Sequence, residues 1–328
     1  LFGYGSGALL GRPLEDLLPQ RFRASHPGQI ATFAAESSPA RLMGERSEVL
    51  GLTSQGEEIP LEASITKVTL DDAVFFSAHL RDLRPRKEAE QQLRAALAAA
   101  PRRPDILVNL ANLLRGRGSH VEARKLARRA VKLDPRYVPG WHSLGLLLHA
   151  MGDHRQALQS ARKLTSLAPE FPAGWELLAA IQQKLDEPGA AIQACREGIG
   201  HTPAAPRLHY SLAQLLRQEC EFEAAAQAYQ AALDQGFLHP DAYRNQAEAW
   251  LDAGELARAA ATAAAGVERY PEDATLHRTL ARLRWESGAA GDPLASLRQA
   301  VHEQPGNAAL WYTLAQLLER LGRESECS

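Results

Sequence analysis

From residue 104 onward, apolar residues recur at spacings of three and four, the period of a helix with one buried face, and the runs come in pairs. Between the two runs of each pair stands a turn residue: Gly118, Gly152, Gly254, Gly288 or Gly322, with Asp186 and Cys220 at the two remaining places. The pattern predicts successive helix hairpins. Prolines set their spacing, because Pro101, Pro135, Pro169, Pro203, Pro271 and Pro305 lie on a 34-residue grid that lacks a proline only at Phe237. Counted from three residues after each grid point, position eight is always small: Ala111, Gly145, Ala179, Ala213, Ala247, Ala281 and Ala315. Position seven is leucine except at Gln246, and position twenty is alanine until Pro293 and Cys327 replace it. Small residues let paired helices approach closely. Leucine at seven and aromatics at four, such as Trp141, Trp175, Tyr243 and Trp311, are expected to fill the space between them, and the grid prolines to end each second helix. Three departures, Gln246, Gly266 and Phe237, are expected to loosen packing around repeats four to six, and Pro293 to delay the start of its helix.

Upstream the period changes. A helical stretch from Arg12 to about Ala35 is followed by alternating segments near 42–53, 58–68 and 73–82, which predict a sheet with one buried face. Pro85 to Ala100 reads as a helix with proline in its first turn. On the same grid, Ala89, Leu93 and Ala96 take second-helix positions twenty, twenty-four and twenty-seven, so this helix is expected to pack on the first repeat. The resulting division is a small α+β module at 1–84, a linker helix at 85–100, and an array at 101–328 of six repeats and a truncated seventh.

The segments Trp141 to Pro169 and Tyr243 to Pro271 resemble tetratricopeptide repeats, and the pattern covers residues 104 to 328. The resemblance implies a mainly α fold: an α-solenoid whose concave groove, lined by the first helix of each hairpin, receives a peptide or protein segment. In that family positions two, five, nine and twelve of the first helix face the groove. Here they give Arg207, Tyr210, Gln214, Arg217, Arg244, Glu248, Arg278, Arg282, Tyr312 and Gln316 toward the back, and His142, Leu146, Glu176 and Ala180 toward the front. Arginines bind carboxylates bidentately, which favours an acidic peptide or chain terminus as partner. The family's clamp for terminal carboxylates is absent, since Val108 stands where its first lysine would be.

The pieces Leu1-Phe2-Gly3-Tyr4, Leu10-Gly11-Arg12-Pro13, Leu18 to Arg23, Gly56 to Glu62 and Arg81-Asp82-Leu83 resemble the second half of a PAS sensor domain, so the first module reads as an incomplete one. Its His26 falls where haem-binding PAS domains carry their proximal ligand, although Thr32 and Ser47 stand where those domains place arginines. The expectation is therefore no cofactor, with a haem sensor as one alternative.

Composition removes several function classes. A formal charge of −2 gives no global attraction toward nucleic acid or membrane, while leaving room for a local basic patch. No apolar run approaches the roughly 20 residues of a membrane span. Cys195, Cys220 and Cys327 have no metal-ligand spacing and fit reduced thiols in a cytoplasm. No phosphate loop, dinucleotide fingerprint, nucleophile elbow or zinc-helix motif occurs. The reading is a non-enzymatic signalling or assembly scaffold. A second reading makes the chain the regulatory front of a longer sulfotransferase, glycosyltransferase or oxygenase, to which such arrays are fused.

Overall fold

The computed structural model describes residues 1–5, 7–35, 40–42, 48–70, 73–288 and 292–320. They divide into two compact units, one reaching from Leu1 to Gly116 and one beginning at Arg117.

In the first unit the expected helix from Arg12 to Ala35 is broken into a 3-10 turn, Leu14–Leu17, a single helical turn α1, Gln20–Arg23, and α2, His26–Ala35. Pro19 accounts for one break, because proline pushes the residue before it toward extended backbone, whereas Pro27 sits in the tolerated first turn of α2. The sheet is antiparallel. Its central strand β3, Glu58–Leu70, carries β1, Ala40–Leu42, and β2, Val49–Leu52, along one edge, and β4, Ala73–Asp82, along the other. The segment expected near 42–53 thus forms two short strands, and residues 43–47 between them lie outside the described residues. Ile59, Leu61 and Ala63 point into the core, as the alternation requires. Phe33 of α2 is also buried, with its ring 5.7 Å from that of Phe76.

Helix α3, Arg84–Ala99, continues from β4, with Asp82 Oδ1 accepting from the Arg84 backbone at 2.9 Å. It packs on α4, Pro104–Arg115, where Arg86 Nη2 donates to Leu113 O at 3.1 Å. A guanidinium is thereby placed on the carbonyl end of α4, the negative pole of its dipole.

The second unit is a run of helices in alternation. Second helices α5, His120–Leu133, α7, His154–Leu167, α9, Pro188–His201, α11, Phe222–Asp234, α13, Leu256–Arg269, and α15, Ala295–Glu303, follow the turns. First helices α6, Val138–Ala150, α8, Pro172–Lys184, α10, Pro206–Gln218, α12, Pro240–Asp252, α14, Ala274–Glu286, and α16, Ala308–Arg320, each begin three residues after a grid point. Each helix packs on the next, and α6 with α8, α8 with α10, α12 with α14, and α14 with α16 also meet as neighbouring first helices. The small positions are buried: Ala179, Ala213, Ala247 and Ala281 at eight, and Ala157, Ala191, Ala225 and Ala259 at twenty. At the turns Gly118, Gly152, Gly254 and Gly288 have φ between 60° and 81°, and Asp186 and Cys220 adopt the same left-handed backbone at 61° and 62°.

Two expectations about irregularity separate here. Helix α15 starts only at Ala295, after Pro293, and is nine residues long where α13 has fourteen. Packing around Gln246 is not loosened, however. Its side chain is 2% exposed, and Nε2 donates to Ala226 O at 3.2 Å and Gln230 Oε1 at 2.9 Å, so a polar side chain serves the leucine position with its donor satisfied. Gly266 is likewise a close-packing residue, because a Cβ there would lie 2.8 Å from Tyr243 Cβ. Phe237, in the missing proline's place, stacks on Tyr210 with ring centroids 4.4 Å apart.

Candidate peptide-binding cleft

Three consecutive first helices, α12, α14 and α16, enclose a cleft of about 530 Å³. Four arginines line it: Arg244 from α12, Arg278 and Arg282 from α14, and Arg320 from α16. Positions five and nine of a first helix lie one turn apart, so the 34-residue register repeats them side by side on adjacent helices. Apolar Ala281, Leu294 and Leu317 also line the cleft, together with Trp285, Thr279 and Gln316. Glu248 is its one carboxylate among the described residues, and its Oε2 is already 2.9 Å from Arg217 Nη1. Arg244 Nη2 lies 2.7 Å from Asp241 Oδ1, and Arg282 Nε a loose 4.0 Å from Glu286. Among the described residues no acid pairs with Arg278 or Arg320. The cleft therefore carries excess positive charge beside an apolar lining.

The residues expected to face a groove do not form one site. Arg244, Arg278, Arg282 and Gln316 share this cleft, and Gln214 and Arg217 line a shallower one of about 450 Å³ with Phe222, Asn245 and Asp252. Arg217 is held from both sides, by Glu248 and by Asp252 Oδ2 at 3.0 Å. Tyr210 is turned into internal contacts: its hydroxyl accepts from Asn245 Nδ2 at 2.8 Å and its ring meets Phe237 and Tyr229. Burial raises its pKa above the ordinary phenol value, with Asp241 adding to the effect. Arg207 Nε reaches Glu176 Oε2 at 3.1 Å, and Tyr312, 66% exposed, does not line the cleft. His26, at the start of α2, has Nδ1 3.4 Å from Glu15 Oε1.

Sequence reasoning missed Trp285 and Arg320. Trp285 occupies position twelve of its repeat, the same row that supplied Arg217, so the register alone could have found it. Arg320 sits one residue beyond that row and carried no such signal.

A second feature recurs along the array. At position four, Trp141, Trp175 and Trp311 donate their indole N–H to the carbonyls of Pro135, Pro169 and Pro305 at 2.9, 2.8 and 3.0 Å. His209 and His277 place Nε2 3.3 and 3.0 Å from the carbonyls of Pro203 and Pro271. Each clasp ties the start of a first helix to the end of the second helix before it.

The sequence matches the tetratricopeptide repeat family over residues 78–138, 182–237 and 210–274, and in a further match to the same repeat over 126–159. The chain belongs to the tetratricopeptide repeat family. Among solved structures, PilF of Pseudomonas aeruginosa is similar in fold, at a TM-score of 0.50 and 20% identity over 62% of this chain and 90% of that one. MamA aligns at 0.46 and 21% identity over 52% of this chain and 94% of its own. A tetratricopeptide repeat protein from Parabacteroides merdae aligns at 0.47 and 16% identity, over 70% and 91%. By its family the tetratricopeptide array is a protein-interaction scaffold in the general sense, and in this chain position-four clasps add to the helix packing at five of the hairpin junctions. Among the described residues no helix is long and apolar enough to cross a membrane, and no group of three or more metal-ligating side chains is gathered.

Proposed function

We propose that this protein is a non-catalytic scaffold that captures an acidic peptide segment of a partner protein in the cleft between α12, α14 and α16. One observation carries the reading: four guanidinium groups converge on a concave, partly apolar surface whose single described carboxylate is already paired. Carboxylates would be held bidentately, and Trp285 offers a face for an aromatic or apolar residue beside them. The back of the array, at Arg244, Arg278 and Arg282, is then the energetic centre. Gln316 extends it, exposed Tyr312 stands one turn earlier on α16, and Gln214 and Arg217 form a more neutral approach in the adjoining shallow cleft.

In the same reading residues 1–84 are a PAS-like input module, 85–100 the linker helix, and 101–328 the array. A change in the sheet would reach the repeats through α3, which continues from β4 and is bonded to α4 by Arg86. That contact is what supports a signalling or assembly role, and a cytoplasmic location belongs to the same proposal.

The test is binding of a fluorescent peptide rich in glutamate with one tryptophan to the full chain and to the Arg244→Glu/Arg278→Glu/Arg282→Glu variant. Hydrogen bonds to charged groups contribute about 1.5–3 kcal/mol each, so the triple reversal should weaken binding by at least about a hundredfold with helicity unchanged. Equal affinity would move the site to the front of the array, around His142 and Leu146.

A further inference from the structure

The formal charge of −2 averages over an uneven distribution. Between Arg117 and Leu167 stand ten lysines and arginines against three acids, whereas between Ala168 and Leu256 stand five against thirteen. The three acids of the basic stretch keep to helix ends: Glu122 is in the first turn of α5, Asp134 is its C-cap and accepts from Arg136 N at 2.9 Å, and Asp153 is the N-cap of α7. The bodies of α5 and α7 beyond those ends carry cations only. Helix α9, by contrast, carries Glu197 within its body.

The cations share a surface. On α5, Lys125, Arg128 and Lys132 are exposed and recur at three and four residues, opposite buried Ala123, Ala127 and Ala130. On α7, Arg155 and Arg162 form the matching exposed ridge with Lys163 on its flank, opposite buried Ala157, Ala161 and Leu164. The Arg128 guanidinium donates to the side-chain oxygen of Gln156, so the two ridges stand side by side. Among the described residues Lys125, Lys132, Arg155, Arg162 and Lys163 pair with no carboxylate.

We propose that this face of α5 and α7 docks the protein on an anionic lipid bilayer surface, without insertion. The geometry selects the partner. Two helices whose cationic ridges are bridged by Arg128 and Gln156 present a broad double row rather than a single track, and neither can enter a major groove about 12 Å wide as a lone helix. Neither ridge carries an aromatic side chain on which the bases of a single strand could stack. Lipid headgroups diffuse laterally and so can match both rows at once, and long basic side chains keep their charges at headgroup level. Val121, 57% exposed at the end of the α5 ridge, is the one large apolar residue on it, which fits contact at the surface rather than burial in hydrocarbon. The arginine cleft is formed by first helices farther along the array, so the two sites use different residues.

The experiment is flotation of the full chain with vesicles of phosphatidylcholine doped with phosphatidylglycerol, against vesicles of phosphatidylcholine alone. The expected result is retention on the anionic vesicles at low salt, release at high salt, and none on the neutral ones. Each basic residue near an anionic surface contributes about 1 kcal/mol, so Lys125→Gln/Lys132→Gln/Arg162→Gln should lower partitioning by about a hundredfold. The variant should keep its helicity and its affinity for the acidic peptide, and Arg278→Glu/Arg282→Glu should still float. Failure of the unaltered protein to float at low salt, or equal flotation of the Gln variant, would overturn the proposal. Retardation of a DNA duplex with no vesicle retention would replace lipid by nucleic acid as the partner.

Discussion

His277 stands where three other repeats carry a tryptophan, and it makes the same bond to a proline carbonyl with a group that titrates. Buried at 1% exposure, it can serve the clasp while neutral, with the proton on Nε2. Burial holds its pKa below the ordinary value of 6.5, against smaller opposing effects from the Pro271 carbonyl and Asp273. His149 is shifted in the same direction, by burial first and then by the charges of His154 and Lys184. A histidine with a depressed folded pKa contributes stability that is fully present above the unfolded value, and this is lost as pH falls below it. The melting temperature should therefore drop as pH falls from about 7 toward 5, and His277→Gln should flatten part of that fall. A thermal melt series at fixed ionic strength checks this. The sequence showed the aromatics at position four but not their partner, because each proline reads as a helix stop and its carbonyl six residues upstream leaves no trace in composition.

Helix starts were legible at the level of elements. Every first helix begins on the proline grid, since a strict register of small residues tolerates one phase of packing. The satisfied Gln246 was not legible, because it depends on which neighbours supply hydrogen bonds after folding, whereas the break at Pro19 has a local cause already present in the sequence. The α3 register at Ala89, Leu93 and Ala96 pointed to α4, whereas the Arg86 contact lies outside it and is set by tertiary placement. That contact gives an element-scale expectation. Arg86→Met keeps the aliphatic stem and removes a charged donor from the C-terminal carbonyls of α4, at a cost of about 0.5–1.5 kcal/mol. Amide exchange should rise in α3 and in the last turn of α4, with α8 to α14 unchanged. Hydrogen–deuterium exchange read by mass spectrometry would reveal it.

Over the whole molecule, net charge concealed more than it told: an almost neutral chain holds a cationic pair of helices followed by an acidic stretch, and only segment-by-segment counting separates them. The cleft was legible only in part. Three of its four arginines, Arg244, Arg278 and Arg282, follow from the register and Arg320 does not. Which arginines of the groove rows are neutralised depends on acids brought in by folding, as Glu176 is for Arg207 and Asp252 for Arg217. The position-four clasps have one more consequence. Of the five tryptophans, three have the indole N–H bonded to a proline carbonyl and Trp250 is buried beneath Arg258, which lies 4.7 Å from its ring centroid. Trp285, 58% exposed, is the one that lines the cleft. The protein thus carries its own optical reporter. Adding an unlabelled acidic peptide that itself lacks tryptophan should change the long-wavelength part of the intrinsic emission, and Trp285→Phe should abolish that change while leaving the emission of the clasped indoles in place. Occupancy of the cleft could then be followed in the unlabelled protein, by the light of a single side chain.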